Sequence, residues 1–418
     1  MTFAWYAHLR NLARRMTAPR MVLATLMLCV ASSTGQAQTS ARARQLGIPL
    51  DGTPGPLDAI TDVPGVAVGH TTLVSGSGKL RVGAGPVRTG VTAVFPRGTG
   101  DLAEVFAGWF SLNGNGEMTG TAWIDDYGRL LYPITITNTN SVGTVRDAVI
   151  EWGRTRVPGV FNCCLPVVAE TWDGDLNDIY GFHVTKEHVF AALAAARPGP
   201  VAEGNVGGGT GMQCLGFKGG IGTASRRLSA GPGGFTVGVL VQCNFGLRRQ
   251  LRIAGVPVGQ EMADPKPCYD TDARLAPEQE AIRCPRGIDR EREHGSIIAI
   301  IATDAPLLPH QLRRLARRAA LGVGRMGGIA GAGSGDLFLA FSTARTMPAD
   351  SLGVATVPML EDERIDPVYE ATVQAVEESI INAMLAAKTM TGADYLRVPA
   401  IPQDRLKAVL QKYNRLKK

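Results

Sequence analysis

Residues 289–303 read DREREHGSIIAIIAT. A run of charged side chains, Asp289 to His294, meets Gly295-Ser296 and gives way at once to five apolar residues, Ile297 to Ile301. A short apolar run bounded by turn-forming residues is the pattern of a buried strand. The charged side reads as a solvated loop. The fold therefore has to present a core strand whose first residue, Ser296, stands at the end of a hydrophilic segment.

Working outward, residues 60–72 (ITDVPGVAVGHTT), 131–137 (LYPITIT), 163–170 (CCLPVVAE) and 234–243 (GFTVGVLVQC) read as further strands. A helix is expected after Asn138–Ser141, through Arg146 to Trp152, and another over Lys186–Ala195 behind a Thr185 cap. Over 308–320, Leu308, Leu312, Leu315 and Ala319 share one face and the arginines take the other, which is an amphipathic helix with a solvated side. Asp366-Pro367 opens the longest helix, to about Thr389, with Asp366 as N-cap, Pro367 at N1 and Gly392 as its stop. Strands and helices alternate imperfectly, which makes the fold class α/β, with sheets covered by helices. Residues 261–295 form a long, hydrophilic, irregular segment, and such a length points to a function or a processing site.

The chain has 418 residues, 45% hydrophobic and 19% charged, with 51 glycines but no collagen-like period, so it is globular and rich in tight turns. Arg10, Arg14, Arg15 and Arg20 precede the apolar run Met21–Val30, and Gly35-Gln36-Ala37 follows as a small-residue cleavage site. This is the pattern of a secretory signal over residues 1–37, and the run is too short to span a bilayer. Export to the periplasm is expected, with no membrane attachment afterwards. Removing the leader takes away four arginines and no acidic residue, so the remainder is near neutral and nucleic acid is not an expected partner.

Cys29 leaves with the leader. Cys268 and Cys284 flank a charged, proline-containing loop and are expected to pair in an oxidising compartment. Cys163, Cys164, Cys214 and Cys243 lie in apolar or glycine-rich surroundings and read as buried small hydrophobes. The scattered histidines form no HExxH or other ligand cluster, so no metal is expected. The glycine-rich stretch 204–222 (GNVGGGTGMQCLGFKGGIG) lacks the Lys-Ser/Thr of a phosphate loop and reads as a place of close backbone packing.

A Gly-Ser step before a strand is ordinarily a turn. A chain break between Gly295 and Ser296 would give it chemistry. Ser296 would become a new N-terminus, with a hydroxyl nucleophile and its own α-amine, of pKa near 7.7–8.0, as base or close partner of one. The small residue before the serine, the rigid strand after it and the long upstream segment suit that solution.

Longer motifs make the comparison specific. The chain resembles the L-aminopeptidase/D-esterase family (DmpA type), which includes the β-peptidyl aminopeptidases. The resemblance runs through ITDVPGVAVGHTTL (60–73), SLNGNGEMTGT (111–121), TNTNSVG (137–143), VVAETWDGDLNDIYGFHV (167–184), GNVGGGTGM (204–212), VLVQCNFG (239–246), GSIIAIIATDAPLLPHQ (295–311) and GSGDLFLAFST (333–343). It implies an αββα four-layer sandwich made as one inactive chain that cuts itself before Ser296. The products would be chains 38–295 and 296–418, held together and assembled as tetramers. It also implies removal of N-terminal residues from small peptides, amino-acid amides and esters, D- or β-amino residues included, without a cofactor.

Carried over by motif, Ser296 is the nucleophile, and Asn244 in VLVQCNFG donates its side-chain amide to the oxyanion. Ser334 and Asp336 in GSGD orient the serine's amine and hydroxyl. Glu170 receives the substrate's free ammonium. One departure stands out: aminopeptidase relatives carry a tyrosine where this chain has Trp172, so a hydroxyl is missing there and Trp172 is expected to shape the substrate pocket. Two other readings remain at this point. One is an acyltransferase similar to the ornithine acetyltransferases, which use threonine as nucleophile. The other is a non-catalytic binding module of the same fold.

Overall fold

The computed structural model describes residues 41–156, 165–231, 233–270, 284, 287–288, 292–293, 295–345 and 351–416. The expected leader, Cys163, Cys164, His294 and most of the loop between Cys268 and Cys284 lie outside the described residues.

Two sheets carry the fold. The first orders its strands Ala67–Ser75, Val87–Phe95, Ile134–Asn138 and Val168–Thr171. The second orders Arg129–Leu130, Val105–Ser111, Gly335–Ser342, Ser296–Thr303, Thr236–Asn244 and Gly220–Arg227. Each sheet contains one parallel pair, Ile134–Asn138 with Val168–Thr171 and Ser296–Thr303 with Gly335–Ser342. A helix connects the strands of each pair, Val142–Arg156 in the first and Pro309–Arg325 in the second, as parallel pairing requires.

The isoleucine run now has a physical explanation. Successive strand residues point to opposite faces. Ile298 and Ile300 pack with Leu240, Leu337, Leu339, Val94, Ile134 and Ile136, filling the space between the two sheets. Ile297, Ala299 and Ile301 face the other way, against Leu312, Leu315, Ala375 and Val376 of the helices Pro309–Arg325 and Asp366–Ala386. A strand covered on both faces has no polar side to display, which is why it reads as a continuous apolar run. On the far side, Val91, Ala93 and Phe95 of the first sheet pack with Val145, Val149 and Val189 of the helices Val142–Arg156 and Lys186–Ala194. The layers are helix, sheet, sheet, helix, as expected.

Local differences have local causes. Residues 60–62 are a short 3-10 turn, and the strand begins only at Ala67. The long helix ends at Ala386 because Ala387 is extended (φ −66°, ψ 141°), well before Gly392, and its N-cap is Ile365, with Asp366 already helical. Cys214 and Cys243 are not two free hydrophobes: both are fully buried, and they are joined as a disulfide. Cys268 and Cys284 pair as expected. The glycine-rich stretch does pack closely. A Cβ at Gly222 would stand 2.0 Å from the Ser379 carbonyl oxygen, so glycine lets the long helix lie directly on its strand.

Candidate active site

Strand register builds the site. Ser296 is the first residue of its strand, and it pairs with Asn244, the last residue of the antiparallel neighbour, on one side. On the other side it pairs with Gly335, the first residue of the parallel neighbour. Asn244, Ser296 and Gly335 therefore stand in one row at one end of the six-stranded sheet. Residues separated by 52 and 39 positions meet there because three strands end together.

Ser296 is buried, and its Oγ accepts a hydrogen bond from the Gly335 N–H at 3.2 Å. The same N–H reaches the Gly295 carbonyl oxygen at 3.3 Å. One backbone donor thus touches both the hydroxyl and the carbonyl of the Gly295–Ser296 junction. Ser334 Oγ donates to Asp336 Oδ1 at 2.7 Å, and that oxygen also accepts the Ile297 N–H at 3.2 Å. Asp336 Oδ2 is buried and has no hydrogen-bond partner among the described residues. Burial pushes the Asp336 carboxyl up to about 6, against the Ser334 hydrogen bond, with the Glu293 charge adding to the rise. The GSGD pair therefore lies beside Ser296, but the donor on the serine hydroxyl is the Gly335 backbone between its two members.

Asn244 is oriented from both ends. Its Oδ1 accepts the Gln213 N–H at 2.7 Å, and its Nδ2 donates to the Trp172 carbonyl at 2.8 Å. An amide nitrogen carries two hydrogens, so one remains for another acceptor. Gln213 in turn donates its Nε2 to Asp175 at 2.8 Å.

Glu170 ends up facing the same space from the first sheet. Its Oε1 accepts the Glu117 N–H at 2.9 Å, and its Oε2 accepts the Thr139 hydroxyl. Desolvation raises its carboxyl above the ordinary range, partly opposed by those two hydrogen bonds. A cavity of about 1150 Å³ joins these parts: Glu170, Thr139, Trp172, Asp175, Gly295 and Ser296 all line it. Trp172 is half-buried in that wall, edge-on to Tyr180 with ring centroids 6.4 Å apart.

Several contributors escaped the sequence reading. Asn113 and Asn115 hold the GSGD loop: Asn113 Oδ1 accepts the Asp336 N–H at 2.7 Å, and the two side-chain amides donate to the Gly331 and Gly333 carbonyls. Both lie inside SLNGNGEMTGT, and Thr139 lies inside TNTNSVG, so the motifs carried the signal without the roles. Glu293 contradicts the solvated reading of the charged segment. It is buried, and its carboxylate accepts the Gly246 N–H at 2.7 Å and the Gly331 N–H at 3.1 Å. Glu293 is thus docked onto the loops that flank Asn244 and Ser334. Among the described residues no group of three or more His, Cys, Asp or Glu is placed to hold a metal ion.

A buried serine at a Gly-Ser junction, a side-chain amide beside it and a buried carboxylate in the wall of the same large cavity are parts that a hydrolase site uses. Comparison with known proteins agrees. The model of peptidase family S58 matches residues 58–398. A β-peptidyl aminopeptidase of Sphingosinicella microcystinivorans is 51% identical over 401 residues, covering 95% of this chain and 98% of its own. The L-aminopeptidase D-Ala-esterase/amidase of Ochrobactrum anthropi, described as a variant of the Ntn hydrolase fold, superposes with a TM-score of 0.78 at 47% identity, over 90% of this chain and 99% of its own. A β-aminopeptidase of a Burkholderia species gives 0.77 at 46% identity, over 89% and 99%. The chain belongs to peptidase family S58 and is a hydrolase, an aminopeptidase.

Proposed function

We propose that the protein is made as a precursor, cuts itself between Gly295 and Ser296, and then removes N-terminal residues through an acyl-enzyme on Ser296. The observation that carries this reading is the shared Gly335 N–H, which contacts both the Ser296 hydroxyl and the Gly295 carbonyl oxygen. In the first event, Ser296 Oγ adds to the Gly295 carbonyl carbon, the peptide nitrogen of Ser296 leaves as an amine, and water hydrolyses the resulting ester. The freed α-amine then lies next to Asp336, whose buried Oδ2 gains a cationic donor after the cut.

In the second event, the α-amine in its neutral form takes the hydroxyl proton as Ser296 Oγ attacks the substrate carbonyl; the scissile C–N or C–O bond breaks, the amine returns that proton to the leaving amine or alcohol, and water then hydrolyses the acyl-enzyme. The second Nδ2 hydrogen of Asn244 and the Gly335 N–H serve as the oxyanion's two donors. Glu170, held by Thr139 and Glu117, receives the substrate's ammonium, which restricts attack to the first residue of a peptide. Trp172 shapes the wall without supplying a hydroxyl. Substrates are small peptides, amino-acid amides and esters; the β-peptidyl and L-amino/D-Ala names of the relatives place β- and D-residues in the panel to be tried. Export to the periplasm behind residues 1–37, and assembly of the cut units into tetramers, complete the proposal.

Denaturing mass spectrometry tests the first event. Two chains meeting at 295/296 are expected, and Ser296→Ala should remain whole and inactive; cleavage of that variant at the same bond would overturn the assignment. Release of nitroaniline from aminoacyl p-nitroanilides tests the second.

A further inference from the structure

A second cavity, of about 330 Å³, lies on the other side of the junction. Asn244, Gly295 and Arg292 belong to its lining, and Gly295 and Arg292 also line the cavity that holds Glu170 and Ser296. Arg292 and Gly295 therefore belong to the wall between the two spaces. A cut after Gly295 gives that wall a free end.

The two spaces differ in charge. The described lining of the first cavity carries the carboxylates of Glu117, Glu170 and Asp175, with Arg292 as its one cation. The second cavity is lined by Arg248, Arg249, Lys266 and Arg292, with no carboxylate among its described residues. Arg248 is a fixed element: its guanidinium donates to the carbonyls of Gly216, Met262 and Pro265 and stacks on Phe217. Arg249 is exposed, and neither it nor Arg292 has an ion-pair partner among the described residues. Phe245 and Leu247 supply an apolar side.

For a substrate with its ammonium at Glu170 and its carbonyl at Ser296, the second cavity is a space bordering the junction that its leaving group could enter. Asn244 lines the second cavity and pairs in register with Ser296, which lines the first, while Gly295 lines both, so the junction stands on the border between the two. We propose that the cationic cavity is the subsite for the residue after the cleaved bond and that it recognises a terminal α-carboxylate, which makes zwitterionic dipeptides the favoured substrate class. This rests on the self-processing aminopeptidase reading above. The acidic and basic spaces then match the two ends of a dipeptide, and complementary charge at both ends sets orientation.

The test uses processed wild-type protein and matched pairs: alanyl-leucine against alanyl-leucinamide, each in α- and β-alanyl form, with alanyl p-nitroanilide alongside. The free acid should exceed the amide in kcat/KM by about tenfold at low salt, mainly through KM, and the ratio should shrink as salt is raised. In Arg249→Gln/Lys266→Gln the ratio should fall toward one. Equal turnover of acid and amide, with the nitroanilide still hydrolysed, would overturn the subsite and leave the aminopeptidase reading standing. A ratio unchanged in the double variant, or insensitive to salt, would overturn it as well. If the nitroanilide is not hydrolysed, the functional reading fails and the subsite falls with it.

Discussion

Gly295→Ala is the sharpest perturbation of the proposed self-cleavage. At the Gly295 position a Cβ would stand 1.9 Å from the Asn244 carbonyl oxygen and 3.2 Å from Phe245 Cα. Both obstacles are backbone, so no side-chain rotation relieves them. Non-bonded heavy atoms settle at roughly 3.5 Å, so the alanine must retreat by about 1.5 Å or push the end of the Asn244 strand away. Retreat in turn breaks the Gly335 N–H contact to the Gly295 oxygen, because that bond is already 3.3 Å long. A displacement of about 1 Å in reacting atoms lowers a rate by about 100-fold. Overpacking of this kind costs about 1–3 kcal/mol of stability.

The assay follows the precursor through a time course by intact mass. Circular dichroism and Tm, measured in parallel, separate slow cutting from misfolding. Wild type should yield the two chains, while Gly295→Ala should stay uncut about 100 times longer with its spectrum preserved. Gly324→Ala is the control. Beyond its own helix backbone and chain neighbours nothing lies within 4 Å of its new Cβ, and it sits near the end of the helix Pro309–Arg325, so cutting should be normal and stability equal or higher by about 0.5–1 kcal/mol. If Gly295→Ala cuts within a few-fold of wild type, the packed arrangement described here is not the reactive one, and the reasoning from the Gly335 donor fails.

Other outcomes follow from the same geometry. Asn244→Ala in processed protein should lower kcat by about 100- to 1000-fold with a smaller change in KM, measured on a nitroanilide, since it removes an oxyanion donor. Glu170→Gln should raise KM for substrates with a free ammonium by tens of fold, reflecting loss of a charge-assisted hydrogen bond of about 2 kcal/mol, and Nα-acetylated substrates should be refused by wild type. Asp336 gives a pH signature. Its folded carboxyl holds a proton up to about pH 6, whereas the unfolded chain releases it near 4, so the precursor loses stability as pH rises through that window. Urea midpoints of Ser296→Ala should therefore fall more steeply from pH 4 to pH 6 than those of Ser296→Ala/Asp336→Asn; parallel profiles would show that Asp336 does not titrate there.

What could be read in advance was what local pattern encodes. The isoleucine run announced a covered strand, and the Leu312-Leu315-Ala319 face announced its helix, because burial on known periods leaves a trace within a few residues. Pairing partners leave no such trace. Nothing near Ser296 says that its neighbours are Asn244 and Gly335; that register depends on which strands end together at one edge. The Cys214–Cys243 disulfide was missed for the same reason. Each cysteine looks apolar in its own surroundings, and only the approach of two strand ends brings them together. Gly392 misled in the opposite sense: a favourable stop signal lay beyond a helix that ends at Ala386, where Ala387 turns extended.

Glu293 shows why the junction itself resisted a local reading. In a run of charges it looks solvated, yet its two acceptor oxygens meet backbone donors 47 and 38 residues away. A buried carboxylate is tolerated only where such partners are supplied, so this contact has to form as the loops after Asn244 and before Ser334 come together. Those are the loops that carry the proposed oxyanion donor and the Ser334–Asp336 pair. Docking of Glu293 and assembly of the site are then one event, and the Gly295 carbonyl is presented to Ser296 only when the surrounding donors are already in place. On this account Glu293→Gln, which keeps an acceptor for one amide but sets an NH2 group against the other, slows cutting without touching the nucleophile. Adding back free processed chains would not rescue it, because the defect lies in how the precursor presents its own bond. Rescue in trans would show that the junction is cut between molecules and that the docked tail plays no part.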